Sequence, residues 1–203
     1  MLEELRRSAK RGRAADALAR LSRAVELLER GDPRGAASEA AKAKVLAPRA
    51  PSVREVLGLA LYGQERFAEA LREMQAYRRM SGRPDQNHIV MDCLRALGRT
   101  ERIVPLAEEA LRARISNEVK AEALVVAAAS LADAGRFEEA LALLRRVRTR
   151  EDVGEDWVLR LWYVTGDVLA RAGREQEAAR EFRKILRHDS GAFDVAERLA
   201  RLG

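Results

Sequence analysis

The sequence predicts an all-α fold, a solenoid in which about five antiparallel helix pairs stack one after another. Three observations predict it. The composition is rich in helix formers, apolar residues recur at the spacing of a helix face, and turn signals recur at spacings of 34, 33, 37 and 38 residues. A repeat of this length is typical of helical solenoids, in which each unit buries its apolar face against its neighbours.

The composition favours helices and works against sheets. Of the 203 residues, 47% are hydrophobic, 34% are charged and only 4% are aromatic, and Ala and Leu dominate the hydrophobic share. Ala and Leu are strong helix formers, whereas the β-branched and aromatic residues that strands prefer are few. The five prolines fall mainly where a helix would begin or end. Helices are therefore expected along the whole chain.

Five turn signals divide the chain into units. They centre on a glycine or its equivalent: Gly31-Asp32, Glu65-Arg66, Gly98-Arg99, Gly135-Arg136 and Gly173-Arg174. Apolar or small residues precede each turn at helical spacing, as in Leu57, Gly58 and Leu61. A second run follows each turn, as in Ala70 and Met74. Each unit is therefore predicted to be a helical hairpin.

The predicted hairpins occupy residues 14–50, 51–83, 84–120, 121–156 and 157–191. A basic arm or short helix is predicted before them, over residues 1–13. A capping helix is predicted after them, over residues 192–203, because Val195, Leu199 and Leu202 form an apolar face suited to covering the last hairpin.

Several of these hairpins resemble the tetratricopeptide repeat (TPR), a unit of about 34 residues with a bulky-Leu-Gly-bulky first helix and an Ala-bulky-Ala-Pro second helix. The residues that carry the resemblance best are Leu57, Gly58 and Ala70, then Ala128, Phe137 and Ala140, then Trp162, Gly166, Ala178 and Phe182. The match is partial elsewhere, since Arg20 and Arg23 occupy bulky sites, Met91 replaces a small residue and Ile103 replaces an Ala. The resemblance covers about residues 14–190 and implies a right-handed superhelix. It also implies a non-catalytic adaptor or scaffold that binds a peptide or partner helix in a concave groove.

The resemblance further implies where that groove lies, because the first helices of successive TPR units line it. Mapped onto this chain, the candidate groove residues are Glu55, Tyr62, His88, Asp92, Arg95, Tyr163 and Asp167. Some TPR proteins clamp a C-terminal carboxylate with Lys and Asn on consecutive first helices. The equivalent sites here hold Leu21, Val25, Glu55, Leu59, His88 and Asp92. A carboxylate clamp is therefore not predicted.

An apolar stripe on the first predicted hairpin needs a cover. It consists of Leu18, Leu21, Val25 and Leu28. A monomer rarely leaves a large apolar patch bare, so two readings are open. Leu2 and Leu5 of the N-terminal segment could cover the stripe, or a second copy of the chain or another partner could pack on it, which would make the protein a homodimer or part of a complex.

The charge balance suggests an alternative function. The formal net charge is +6 and the isoelectric point is near 10.0. The residues that would form a patch for RNA or another polyanion are Arg6, Arg7, Lys10, Arg11, Lys42 and Lys44. Most other charges alternate in sign and aromatic residues for base stacking are scarce, so a polyanion is the alternative and a protein partner is the leading prediction.

The residues that carry chemistry in enzymes are sparse. His88 and Asp92 are one helical turn apart, but a metal site needs three or four ligands, and Cys93 points about 100° away from Asp92. Cys93 is interpreted as a small buried hydrophobe. The sequence shows no Gly-rich phosphate loop, nucleophile elbow or Cys-x-x-Cys pair, so no enzyme activity, metal or cofactor is predicted.

The cellular location follows from similar considerations. A single cysteine cannot form an internal disulfide, no run of residues is apolar for the length that a membrane span needs, and the first residues lack the apolar core of a secretory signal. A cytoplasmic protein is expected.

Overall fold

The computed structural model describes residues 2–150, 152 and 154–202, except for the side chain of Leu2. Within this part of the chain there are twelve α-helices, one 3-10 turn at Thr100–Arg102 and no strand. The helices are α1 (Leu2–Ser8), α2 (Ala14–Glu29), α3 (Pro33–Leu46), α4 (Pro51–Tyr62), α5 (Phe67–Ser81), α6 (Asn87–Ala96), α7 (Ile103–Arg112), α8 (Asn117–Asp133), α9 (Phe137–Leu144), α10 (Asp156–Arg171), α11 (Glu175–His188) and α12 (Val195–Arg201). The predicted all-α class is confirmed.

The helices form two compact units, Met1–Arg99 and Thr100–Gly203. In unit 1, α2 packs with α3 and α4 packs with α5, while α3 also contacts α4 and α5 contacts α6. In unit 2, α8 packs with α9 and α10 packs with α11, while α10 contacts α8 and α12 contacts α11. Each unit is therefore built from hairpins that share a core with the next helix along the chain. None of the described helices is long and apolar enough to cross a lipid bilayer.

All five predicted turns have the same backbone geometry. The central residue is left-handed in each, with φ of 74° at Gly31, 59° at Glu65, 69° at Gly98, 73° at Gly135 and 76° at Gly173. The next residue donates its backbone N–H to a leucine carbonyl five positions earlier: Asp32 to Leu27, Arg66 to Leu61, Arg99 to Leu94, Arg136 to Leu131 and Arg174 to Leu169, at 2.8 to 3.0 Å. This is the Schellman motif, which satisfies carbonyls at a helix end. The equivalence of Glu65 with the four glycines, predicted from spacing, is confirmed.

A recurrent ion pair starts the second helix of three hairpins. In each, an arginine at the N-cap holds a glutamate three residues later through two hydrogen bonds of 2.6 to 2.8 Å: Arg66 to Glu69, Arg136 to Glu139 and Arg174 to Glu177. The arginine hydrogen bonds lower the pKa of all three glutamates below its ordinary value. The glutamates stay ionised in the first turn, where the positive end of the helix dipole favours them.

Two glycines let paired helices approach closely. A Cβ added at Gly58 of α4 would lie 2.9 Å from Cγ of Met74 on α5, and one added at Gly166 of α10 would lie 2.5 Å from Cε1 of Phe182 on α11. Both Met74 and Phe182 are fully buried. A larger residue at either position would require the facing side chain or its helix to move, because protein interiors are close-packed.

Candidate partner-binding face

Five of the predicted groove residues lie together on the first helices of unit 1. Glu55 and Tyr62 are on α4, and His88, Asp92 and Arg95 are on α6. We call these five residues the α4–α6 face. Arg95 is exposed and the other four are half-buried, so each of them keeps part of its side chain open to solvent.

Tyr62 and Asp92 connect the two helices of this face. The Tyr62 hydroxyl, in the last turn of α4, donates a hydrogen bond to Oδ2 of Asp92 on α6. Nη1 of Arg95 lies 3.9 Å from the other carboxylate oxygen of Asp92. The Tyr62 ring also meets the Phe67 ring edge-on, with centroids 6.0 Å apart. These contacts hold the Tyr62 ring and the Asp92 carboxylate in defined positions at the surface.

Glu55 extends the face toward the start of α6. Its Oε1 accepts a hydrogen bond of 2.7 Å from Nε2 of Gln86, the N-cap residue of α6. Burial raises the pKa of Glu55 above its ordinary value, and the negative charges of Asp85 and Glu4 add to this rise. The Gln86 hydrogen bond and the positive charge of Arg83 oppose it. The Glu55 carboxylate is thus hydrogen-bonded by a neutral amide, and the charge of Arg83 offsets its negative charge only in part.

The thiol and imidazole of α6 do not form a metal site. Cys93 is fully buried, and burial raises the pKa of its thiol to about 12. A thiol of that pKa stays protonated and unreactive near neutral pH. In the described part of the chain, no group of three or more His, Cys, Asp or Glu residues is placed to hold a metal ion. The arrangement can hold a polar partner through hydrogen bonds and aromatic contacts.

The N-terminal segment packs on unit 1. Leu5 of α1 is fully buried, and the backbone N–H of Lys10 donates to the carbonyl of Leu46 at 2.9 Å. Oε1 of Glu4 accepts hydrogen bonds from the backbone N–H and the hydroxyl of Ser52, at 2.9 and 2.8 Å. Because Ser52 lies in the first turn of α4, Glu4 satisfies a donor that the helix start would otherwise leave open.

The predicted apolar stripe on α2 is partly buried within unit 1. Leu21 is fully buried, and Leu18, Val25 and Leu28 are half-buried. Helix α1 packs against α2. Of the two residues expected to cover the stripe, one is the buried Leu5, whereas the side chain of Leu2 lies outside the described residues. Dimerisation through the stripe stays a prediction.

The other two predicted groove residues, Tyr163 and Asp167, lie on α10 of unit 2 and contact the C-terminal segment. The Tyr163 hydroxyl donates to Oδ1 of Asp194 at 2.7 Å, and the Tyr163 ring lies 4.6 Å from the Phe193 ring. Nη1 of Arg198 lies 2.5 Å from Oδ1 of Asp167, and its guanidinium sits 5.2 Å from the centre of the Tyr163 ring. Burial raises the pKa of Tyr163, and the hydrogen bond to Asp194 adds to the rise.

Asp194 and Arg198 are the side chains at this face that sequence reasoning missed. A sequence signal for Asp194 exists, because it follows Tyr163 by 31 residues, just as Gln86 follows Glu55 by 31 residues. Gln86 and Asp194 are also the N-cap residues of α6 and α12. Helix α12 therefore occupies in unit 2 the place that α6 occupies in unit 1.

The basic residues predicted to form a polyanion patch have different surroundings. Four of them are exposed near the N-terminus: Arg6, Arg7, Lys10 and Arg11. The other two are on α3, where Nζ of Lys42 lies 2.6 Å from Glu39 and Nζ of Lys44 lies 2.6 Å from Glu73. Each of these lysines shares its glutamate with an arginine, because Glu39 also contacts Arg20 and Glu73 also contacts Arg54. Polyanion binding stays a prediction.

Comparison with known proteins identifies repeats of one type along most of the chain. One model of the tetratricopeptide repeat matches residues 21–85 and a second matches residues 90–189. No curated protein matches the sequence.

Similar solved structures include two TPR proteins and a quorum sensor. YrrB, a TPR protein with an unusual peptide-binding site, has a TM-score of 0.61 and 20% identity, over 89% of this chain and 90% of that chain. A thermophilic TPR protein of Thermus thermophilus has a TM-score of 0.65 and 19% identity, over 92% of this chain and 98% of that chain. The apo form of the quorum sensor NprR from B. thuringiensis has a TM-score of 0.75 and 14% identity, over 99% of this chain and 62% of that chain. At such identities the similarity shows the fold alone.

Proposed function

Because the chain belongs to the tetratricopeptide repeat family, whose fold supports protein-interaction adaptors in general, we propose that it is a non-catalytic adaptor. Its α4–α6 face binds a peptide or a helix of a partner protein. The observation that carries this proposal is the combination of partial exposure and fixed geometry at Tyr62, Asp92 and Arg95.

The chemistry of the face supports binding. Tyr and Arg are enriched among the residues that dominate interface energies, because they offer a large contact area together with a hydrogen-bonding end. The hydrogen bond between Tyr62 and Asp92 orders both side chains before a partner arrives, which reduces the entropy that binding would cost. The partly uncompensated charge of Glu55 favours a partner segment that presents Lys, Arg or another hydrogen-bond donor at that point.

A similar protein supports the same reading. YrrB, which shares the fold with this chain, has a peptide-binding site. Peptide capture is thus compatible with a helical-repeat array of this size, and the residues that would achieve it here are the five of the α4–α6 face.

The proposal is tested by comparing what copurifies from the protein's own cells with the wild type and with the double variant Tyr62→Ala/Arg95→Ala. A binding role for the face predicts that one or more wild-type partners are lost from the double variant. The matched control is Arg79→Ala/Met80→Ala, which removes two exposed side chains from α5 of the same unit. Partner sets that are identical for all three proteins, with thermal melting unchanged, would refute the proposal.

A further inference from the structure

Unit 1 contains a second cleft, on the side formed by its second helices. A cavity of about 610 Å³ lies between α3 and α5, above α4. We call it the α3–α5 groove. Its volume is in the range of about 300–1,000 Å³ that is usual for clefts that bind ligands. It shares no residue with the α4–α6 face, so occupation of one does not require occupation of the other.

The charged residues that line this groove are mostly positive. They are Arg34, Lys44, Arg66, Arg72, Glu69 and Glu73. Both glutamates are already neutralised by neighbouring cations. Glu69 is held by Arg66, and Glu73 lies 2.6 Å from Lys44 and 2.8 Å from Arg54. Burial acts to raise the pKa of Glu73, but the hydrogen bonds from Lys44 and Arg54 outweigh it and lower the pKa below its ordinary value.

Two arginines keep their charge for an external partner. Arg34 on α3 and Arg72 on α5 are both exposed, and neither forms an ion pair with any described residue. Arg72 is close enough to Glu69 to help lower its pKa, but Arg66 already occupies both oxygens of that carboxylate. The groove therefore has a guanidinium on each wall that can take a carboxylate from another molecule.

Unit 2 repeats this arrangement. A smaller cavity of about 280 Å³ lies between α9 and α11, and its charged lining residues are Arg145, Arg180, Lys184, Glu177 and Glu181, of which Lys184 pairs with Glu181. Arg180 follows Arg72 by 108 residues, the same separation as between Gly58 and Gly166, so the two arginines occupy equivalent positions. Glu177 is already bound by Arg174, as Glu69 is by Arg66. The excess of positive charge at this position is therefore a recurrent property of the fold.

We propose that the α3–α5 groove binds an acidic segment of a partner protein. Carboxylates of that segment pair with Arg34 and Arg72, and its aliphatic side chains pack on a base formed by Ala41, Leu57 and Leu61. The lining favours a peptide over a nucleic acid, because it contains no aromatic ring on which bases could stack. The segment binds on a different surface from the partner of the α4–α6 face and has the opposite charge preference.

A labelled peptide tests the proposal directly. The probe is a fluorescein-labelled peptide of repeated Glu-Glu-Leu, titrated with the full chain at low salt and followed by fluorescence anisotropy. A second probe has Gln in place of every Glu. We expect the acidic probe to bind, the Gln probe to bind more weakly, and added salt to weaken the acidic probe. The variant Arg34→Gln/Arg72→Gln should lower its affinity by about tenfold, the size expected for two charge-assisted contacts.

The matched control removes the same charge elsewhere in unit 1. Arg79→Gln/Arg99→Gln alters two exposed arginines that neither line the groove nor belong to the predicted polyanion patch, and it should leave the affinity unchanged. Three results would overturn the proposal. They are no binding of the acidic probe at low salt, an equal loss of affinity in both double variants, and tighter binding of oligouridylate than of the peptide with the same dependence on Arg34 and Arg72.

Discussion

The first helices of the two units carry equivalent faces that are used differently. In unit 1, Glu55 and Tyr62 reach the next first helix through Gln86 and Asp92 and still keep part of their side chains exposed. In unit 2, Tyr163 is half-buried as well, but its ring contacts Phe193 and its hydroxyl donates to Asp194, the N-cap residue of α12. The face of unit 2 therefore holds the chain's own terminal helix, whereas the face of unit 1 is the one proposed to receive a partner.

The residues at two equivalent positions explain the difference. Asp167 of α10 stands 108 residues after Leu59 of α4, and Arg198 of α12 stands 108 residues after Val90 of α6. Unit 2 thus has an acid and a base, 2.5 Å apart, where unit 1 has two apolar residues. The charged pair holds α12 beside Tyr163, so Tyr163 and Asp167 are both bonded by the C-terminal segment, and the partner site is proposed on the face of unit 1.

The largest expected effect compares the packing glycines of the two units. Gly166→Ala should lower the free energy of unfolding by about 2 kcal/mol, because the added methyl group collides with the fully buried ring of Phe182 and overpacking is costly. Gly58→Ala should cost less than about 1 kcal/mol, because the flexible end of Met74 can move and alanine favours the helix more than glycine does.

Urea unfolding followed by circular dichroism measures both changes. The double variant Gly166→Ala/Phe182→Leu should recover part of the loss, because a smaller side chain makes room for the methyl group. If Gly166→Ala and Gly58→Ala destabilise the protein equally, the rigid ring of Phe182 resists the added methyl group no more than the flexible side chain of Met74 does.

A smaller effect is expected at the contact that closes the face of unit 2. Arg198 pairs with Asp167 and Asp194 and stacks on Tyr163. Arg198→Ala should destabilise the docking of α12 by about 1 kcal/mol, the scale of a partly exposed ion pair with a cation–π contact. Hydrogen exchange of the amides of residues 195–201 should then become faster.

Arg201→Ala is the control for this prediction. Arg201 lies 3.5 Å from Glu197, and both side chains are about three-quarters exposed, at 74% and 73%. An ion pair of that kind contributes almost nothing, so exchange in α12 should not change. If both variants accelerate exchange equally, the three contacts of Arg198 are not what holds α12 in place.

The five turns were predictable from the sequence because their signals are local. Each helix end is marked by the same short pattern: a leucine four residues before a glycine or Glu65, which in four of the five turns is followed by an arginine. All five turns share one backbone geometry. Contacts between distant residues were not predictable in the same way. Glu4 bonds Ser52 across 48 residues, and the acceptor of Tyr163, Asp194, lies 31 residues later, beyond helix α11. Periodicity placed Tyr163 on the correct helix, but it did not reveal what would cover it.

The smallest effects are expected from substituting two glutamates of unit 1, Glu55 on the α4–α6 face and Glu73 in the α3–α5 groove. The pKa of Glu55 is raised by burial, so the stability that Glu55 contributes is present below its ordinary pKa and is lost as the pH rises through the folded value. The pKa of Glu73 is lowered because Lys44 and Arg54 outweigh burial, so its contribution is present above the ordinary pKa and is lost as the pH falls.

Substitution by glutamine should therefore act in opposite directions at these two sites. Relative to wild type, Glu55→Gln should raise the melting temperature at about pH 7 and lose this advantage at about pH 4, where wild-type Glu55 is protonated. Glu73→Gln should lower the melting temperature at about pH 7 and lower it less at about pH 4. Differential scanning calorimetry of the three proteins at both pH values measures the four differences. A decrease at neutral pH for both variants would mean that Glu55 is compensated as fully as Glu73, and Glu55 would then not attract a basic group of the partner.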